Sequence, residues 1–290
     1  MKVAVIGAVG QLGTDVCKVF SDVELYRVSR QGADITLDIR DAGLVHEIIA
    51  DQLRPDLVIN AAAASNVPKC EQEPDWAFGV NATGTKNLAA ACQSVGARLV
   101  HVSTDYVFGG DVKRPYVETD LPAPLNVYGA SKLAGEHLLA AQCEDHIIAR
   151  TSAIYGAAPC RGKGGRNFVS LMLHLAATQP EVKVVTDEII SPTYTYALAR
   201  QLRLVAEKGE PGLYHVTCNG ECSWHEFAEA IFEETGTEVK LIEVTSKDFP
   251  STVKRPGYSV LRNKHLQDQG LDIMPEWRDG LSAYLASATS

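Results

Sequence analysis

The sequence predicts an α/β fold: a doubly wound parallel sheet over residues 1–155, followed over 156–290 by a smaller lobe. Three observations predict it. Short β-rich apolar runs recur along the first half, as "KVAVIG", "VELYRVS", "ADITLD", "DLVINAAA", "ARLVHVSTD" and "HIIARTS". Near-continuous apolarity implies strands covered on both faces. Helical patterns lie between most of these runs, and strands alternating with helices form crossovers and therefore pair in parallel. Finally, a glycine-bearing segment, "GAVGQLG", follows the first run directly.

In order, "KVAVIG" is the first strand, and "QLGTDVCKVF", with Leu12, Val16, Val19 and Phe20 at helical spacing, is the first helix. "GLVHEIIADQL" and "ATGTKNLAAACQSVG" are further crossover helices. Beyond residue 155 the pattern loosens. "GGRNFVSLMLHLAATQP" and "SWHEFAEAIFEETG" read as helices, "VKVVTD" and "GLYHVT" as strands. The segments 181–190 and 211–235 are candidates to return to the main sheet. The rest is expected mainly to form a lobe over a substrate.

Composition removes several function classes. The chain has 290 residues and a net charge of −9, so a polyanion such as nucleic acid would meet an unfavourable mean field. The apolar start is only five or six residues long before glycines interrupt it, too short for a signal peptide or a membrane span, and no later run is longer. A cytoplasmic protein is expected. Seven scattered cysteines suit reduced thiols better than a disulfide framework. "HVTCNGECSWH" brings His215, Cys218, Cys222 and His225 close in sequence, but a strand, a turn and a helix cap explain it better than zinc.

"GAVGQLG" sets Gly7, Gly10 and Gly13 in a strand-to-helix turn, with Gln11 and Leu12 opening the helix. Glycines there let the backbone approach a pyrophosphate, whose charge meets free N–H groups and the positive helix end. A Rossmann-type dinucleotide site is expected. At the end of the second strand, Ser29 and Arg30 replace the acid that would bind an NAD ribose, which favours NADPH, with NADH the alternative. Asp38 and Ile39 are placed to bracket an adenine. Asn60, Ala61, Ala62 and Ala63 supply small residues at a strand end where a cofactor passes, and Asn81 and Ser103 complete the expected cofactor set.

"HVSTDYVFGG" ends the fifth strand with Ser103, Thr104 and Asp105. This is the carboxyl edge of a parallel sheet, where ligands of such folds sit. On the next helix "NVYGASK" places Tyr128 and Lys132 four apart on one face. A lysine cation favours a phenolate and lowers a phenol pKa from about 10, within reach of acid–base work near neutrality.

Glycine loop, strand-end hydroxyl and Tyr-x-x-x-Lys in this order resemble the extended short-chain dehydrogenase/reductase family. "RPDLVINAAA", "STDYVF", "ETDLPAPLNVYGASKLAGE", "ARTS" and "RNFVSLML" are similar to its dTDP-4-dehydrorhamnose reductase branch, and the resemblance covers nearly the whole chain. It implies NAD(P)H-dependent reduction of the C4 keto group of a nucleotide-linked 6-deoxy sugar. Thr104 would polarise that carbonyl, Tyr128 would protonate the developing alkoxide, and Lys132 would hold the nicotinamide ribose. Asp105, Tyr106 and Phe108 would shape the sugar pocket, with Asn167 and Phe168 beside it. Arg255 is the candidate cation for the substrate diphosphate.

Departures from the branch are equally specific. "RTSAIY" puts Ala153 where a tryptophan usually covers the sugar, and "VPKCE" puts Pro68 where an acid is usual. The identity of the sugar is therefore open. "TYTYALARQL" lacks the glutamate with which some relatives bind magnesium at a dimer contact, so no metal is expected, and a homodimer stays open. A dehydratase would need an acid where Tyr106 stands. An epimerase, a reductase of another 4-keto sugar, or a regulatory subunit resembling the methionine adenosyltransferase β subunit are the competing readings.

Overall fold

The computed structural model describes residues 1–160, 162, 164–249, 251 and 253–288. Its first part runs β1 (Lys2–Ile6), α1 (Gln11–Val19), β2 (Glu24–Ser29), β3 (Ile35–Thr36), α2 (Ala42–Val45), β4 (Leu57–Asn60), α3 (Val67–Gln72), α4 (Pro74–Phe78), α5 (Gly84–Val95), β5 (Arg98–Thr104), α6 (Val127–Gln142) and β6 (His146–Thr151). There follow β7 (Ile154–Tyr155), α7 (Phe168–Thr178), β8 (Glu181–Val185), β9 (Ile189–Ile190), β10 (Thr193–Tyr194), α8 (Thr195–Lys208) and β11 (Gly212–His215). The chain ends with β12 (Cys222–Ser223), α9 (Trp224–Thr235), β13 (Lys240–Val244), α10 (Lys264–Asp268) and α11 (Trp277–Ala288).

The seven-stranded sheet has the order β11-β6-β5-β4-β1-β2-β3, and its pairings are parallel. Strand order reverses between β1 and β4, so the crevice at their carboxyl ends is the expected ligand site of a doubly wound sheet. One apolar core packs α1 and α8 on the face of the sheet that includes Val3, Val5, Ile59 and Val100. A second lies on the opposite face, where Ala4, Ile6, Val58 and Leu99 meet the helical crossovers at Ile49, Leu88 and Leu139.

The structure splits one sequence expectation and refines another. Of the segments that could rejoin the sheet, Gly212–His215 does so as its edge, beside β6, whereas Glu181–Val185 pairs in parallel with β13 outside it. "GLVHEIIADQL" is α-helical only over Ala42–Val45 and continues as a π-helix over His46–Leu53. That π-helix ends at Arg54, in the left-handed region at φ 45°, immediately before Pro55, which disfavours further helix.

Candidate active site

The glycine loop fits the crevice sterically. Gly7 has φ +81°, and a Cβ there would lie 2.8 Å from Ala62 N on the neighbouring strand end. At Gly13 a Cβ would meet Gly7 O at 2.1 Å, so only glycine lets α1 seat this closely on the loop. Gly10 caps α1 without a side-chain hydrogen bond, leaving the first-turn N–H groups facing the crevice unclaimed by a cap. Opposite them Ala61 and Ala62 are half-buried and Ala63 is exposed. Open helix donors, a cradle that a single Cβ would fill and a wall of small residues together fit a dinucleotide pyrophosphate. Gln11 and Leu12 are buried, and Gln11 Nε2 donates to Gly156 O at 3.3 Å. The Gln11 side chain therefore ties α1 to the segment after β7, leaving its backbone for the crevice.

At the cofactor's other end Ser29 closes β2 and Arg30 is exposed. Asp38 is gripped by Arg40, whose Nη2 lies 2.6 Å from Asp38 Oδ2, while Arg30 also acts electrostatically on that carboxylate. Two arginines around one acid leave a local positive surplus, the sign a 2′-phosphate needs. Ile39 turns away from this surface. It is 5% exposed and packs so closely on α5 that a Cβ at Gly84 would meet its Cγ1 at 2.5 Å, so its side chain belongs to the core rather than to an adenine.

A strip of polar side chains joins β4, β5 and α6 behind the crevice. Residues two apart on a strand share a face, as do residues four apart on a helix. His101 and Ser103 on β5 accordingly meet Lys132 and Glu136 on α6. Lys132 Nζ lies 3.0 Å from His101 Nε2 and donates to Val102 O at 2.7 Å. His101 Nδ1 lies 3.0 Å from Asn60 Nδ2, and Asn60 Oδ1 accepts from Ala62 N at 3.1 Å. One turn on, Ser103 Oγ donates to Glu136 Oε1 at 2.5 Å, and Arg150 from β6 grips the same carboxylate. The Ser103 hydroxyl is thus engaged in a buried ion pair, not presented to a cofactor. Asn81 holds Ala64 through its backbone N and O and reaches Ser131 Oγ at 2.9 Å, bracing the alanine loop against α6 from a fully buried position.

Thr104 and Tyr128 come together as expected. Burial pushes the Tyr128 phenol well above its ordinary range, with Asp105 and Cys70 adding to the rise and the neighbouring Thr104 hydroxyl opposing it. The expected lowering of Tyr128 by the Lys132 cation is absent from this arrangement, because Lys132 is turned towards β5. Burial brings the Lys132 ammonium down to about 8, and Glu136 opposes that shift. The same burial holds His101 well below the usual imidazole range, and the Lys132 charge lowers it further.

The residues expected around the sugar divide into two groups. Tyr106 meets Tyr128 edge to face with ring centroids 5.7 Å apart, and burial raises its phenol. Arg255 is exposed and acts electrostatically on both Tyr106 and Glu188, which brings its charge within range of the Tyr106–Tyr128 pair. Phe168 packs on Trp224 at 4.5 Å. Ala153 sits between β6 and β7 in the left-handed region at φ 44°, where a residue with a Cβ is strained.

Three others are structural. Asp105 is 4% exposed and accepts from Thr104 Oγ1 at 3.0 Å, Ser152 Oγ at 2.9 Å and Ser259 Oγ at 2.6 Å. It joins the ends of β5 and β6 to the 259 segment instead of lining a sugar pocket. Burial raises its carboxyl while the three hydroxyls pull it down. Phe108 is fully buried, stacked on Tyr116 at 4.1 Å. Asn167 caps α7, accepting from Ser170 N, and donates to Gly156 O at 2.8 Å.

Sequence reading missed His101, Glu136, Ser152 and Ser259. The signal for His101 was available: it is a polar residue inside an otherwise apolar buried strand. Among the described residues no three His, Cys, Asp or Glu side chains come together to hold a metal ion, and no helix is long and apolar enough to cross a membrane.

The chain matches the family described as the RmlD substrate binding domain over residues 1–290. It is 40% identical over 293 residues to the spore coat polysaccharide biosynthesis protein SpsK of Bacillus subtilis, covering 100% of this chain and 98% of that protein. A crystal structure of a dTDP-4-dehydrorhamnose reductase from Clostridium acetobutylicum superposes with a TM-score of 0.94 at 41% identity and full coverage of both chains. The Bacillus anthracis dTDP-4-dehydrorhamnose reductase, solved in complex with NADP, gives 0.92 at 37% identity, over 99% of this chain and 100% of that one.

Proposed function

Because the chain belongs to the RmlD substrate binding domain family, we propose that it reduces the C4 keto group of a nucleotide-linked 6-deoxy sugar, dTDP-4-dehydro-L-rhamnose, at the expense of NADPH. The observation that carries the reading is the meeting of Thr104 and Tyr128 beside a glycine loop whose steric fit admits a dinucleotide. Relatives of 37–41% identity over their full length, described as dTDP-4-dehydrorhamnose reductases, support the choice of sugar nucleotide and of NADPH.

Gly7, Gly10 and Gly13 would hold the cofactor pyrophosphate, Arg30 the 2′-phosphate and Lys132 the nicotinamide ribose. When bound, NADPH supplies the hydride. The protein's own part is to position the carbonyl and deliver a proton to its oxygen. Thr104 donates its hydrogen to Asp105 Oδ1 and accepts from Tyr106 N, so it must rotate away from Asp105 to donate to a substrate carbonyl. Tyr128, kept protonated by burial, is an acid in the form the reaction consumes. As the carbonyl oxygen gathers negative charge it takes the Tyr128 proton, and a Lys132 ammonium nearby would then steady the phenolate.

Arg255, exposed and acting electrostatically on Tyr106, is the residue we assign to the substrate diphosphate, and residues 156–290 would mainly form the lobe that covers the sugar. The net charge of −9 argues against nucleic acid as a partner. The test is NADPH and NADH oxidation with dTDP-4-dehydro-L-rhamnose by the wild type and by Tyr128→Phe. Loss of turnover of about 10²–10⁴-fold in the variant, with NADPH affinity changed only a few-fold, is expected. Near-normal turnover would remove Tyr128 from the mechanism. An inert wild type active on another keto sugar would trace to Ala153 and Pro68.

A further inference from the structure

The direction of each hydrogen bond behind Lys132 can be worked out from one fixed end. A backbone N–H only donates, so the Asn60 oxygen must face Ala62 N, which leaves the Asn60 amide nitrogen facing His101. An amide nitrogen also only donates, so His101 Nδ1 must accept. A neutral imidazole then carries its proton on Nε2, the atom 3.0 Å from Lys132 Nζ. An ammonium has no lone pair to receive that N–H, whereas an amine does, and an amine can still donate to Val102 O at 2.7 Å. Asn60, His101 and Lys132 are all 1% exposed or less, so water does not relieve the mismatch.

We propose that Asn60 and His101 form a positioning pair that docks Lys132 against β5 as the uncharged amine, and that NADPH binding releases it as the ammonium, with one proton taken from solvent. This rests on the assignment of the crevice to NADPH. The ribose hydroxyls and phosphates offer acceptors that the ammonium lacks while it is docked. The charged groups around Lys132 do not replace them. Glu136 on its own helix is bound bidentately by Arg150 from β6 and by Ser103. Asp105 at the end of β5 is held by three hydroxyls. Glu71 from α3 accepts Val127 N. The Lys132 ammonium, brought down to about 8 by burial, sets the window: above it the docked amine prevails in the free protein and binding must supply a proton, whereas below it the undocked ammonium prevails and none is needed.

The experiment is titration calorimetry with NADPH in two buffers of different ionisation enthalpy, at pH 6.5 and pH 9, beside NADPH affinity measured across that range. Close to one proton taken up at pH 9, little at pH 6.5, and affinity falling up to tenfold per pH unit above about pH 8 are expected. Binding with no proton uptake at either pH overturns the proposal. Absence of NADPH binding overturns the functional reading instead. Asn60→Asp keeps the Ala62 bond, accepts from Nδ1–H and turns Nε2 into an acceptor for the ammonium, so uptake at pH 9 should largely disappear. His101→Phe removes the Nε2–H that opposes the ammonium, so uptake at pH 9 should fall in that variant too, and unchanged uptake there overturns the proposal.

Discussion

Removing the Glu136 carboxylate should destabilise the protein far more than removing an ordinary surface charge. Glu136 and Arg150 have side-chain exposures of 5% and 4%, with Arg150 Nη2 2.6 Å from Oε2 and Nε 3.0 Å from Oε1. Ser103 adds a third donor, and Arg150 Nη1 has no hydrogen-bond partner among the described residues even with Glu136 in place. In Glu136→Ala the guanidinium stays buried without a counter-charge, which costs about 3–5 kcal/mol. An unfolding entropy of roughly 2.1 cal/mol/K per residue over this chain converts that to a fall in Tm of about 5–8 °C. The pair itself is a different quantity, because desolvation of both charges offsets their attraction. Glu136→Leu combined with Arg150→Met should recover most of the loss. Calorimetric melts and urea midpoints of the single and double variants measure both effects. A single variant within about 0.5 kcal/mol of wild type, the range of surface substitutions, would refute the burial argument, and a double variant worse than Glu136→Ala would refute the argument from an unpaired charge.

Three further outcomes follow from the geometry. Gly13→Ala should abolish NADPH binding, measured by cofactor fluorescence, because its Cβ would meet Gly7 O at 2.1 Å and force α1 off the loop; unchanged affinity would show that the loop is not the pyrophosphate site. Arg30→Ala should reduce the preference for NADPH over NADH by about tenfold or more, the equivalent of one charge-assisted phosphate contact of about 1.5–3 kcal/mol, and equal losses for both cofactors would assign Arg30 elsewhere. His215 is held down to about 3 by burial first and by Arg150. Since its folded value lies below the unfolded one, its contribution is complete above pH 6.5 and is lost as pH falls from there towards 3, by about 1.4 kcal/mol per unit. Urea unfolding of wild type and His215→Gln between pH 7 and 5 checks this, the variant showing the shallower slope.

The sheet and the crevice were legible because their signals are local. A strand buried on both faces must be apolar throughout, and a phosphate loop must have glycine where a Cβ would strike backbone, as at Gly7 and Gly13. What was not legible depends on which side chain meets which across elements distant in sequence. β8 resembles a sheet strand in pattern, yet its partner is β13, 59 positions on from Glu181 to Lys240, and nothing in either run announces that pairing. Ser103 and Asp105 illustrate the same limit inside the site. Both are polar residues at the carboxyl end of a strand, where polar residues ordinarily face ligand, but Ser103 meets Glu136 and Asp105 meets Ser152 and Ser259, the last 154 positions away.

Tyr128 and Lys132 show why spacing alone overstates a mechanism. The i, i+4 relation places both on one helix face, and from this the lysine was expected to act on the phenol. The face is shared, but a lysine side chain is long enough to choose among neighbours. Here it reaches past Tyr128 to an imidazole and a carbonyl on β5. The motif therefore fixes where the two residues start, while the strand beneath them fixes which way the lysine points. His101, an uncharged polar residue in the middle of an apolar strand, has to satisfy two ring nitrogens in a place without water. It does so with Asn60 on one side and Lys132 on the other. The requirement that buried polar atoms be paired thus couples the protonation of the lysine to a strand residue outside the Tyr-x-x-x-Lys motif.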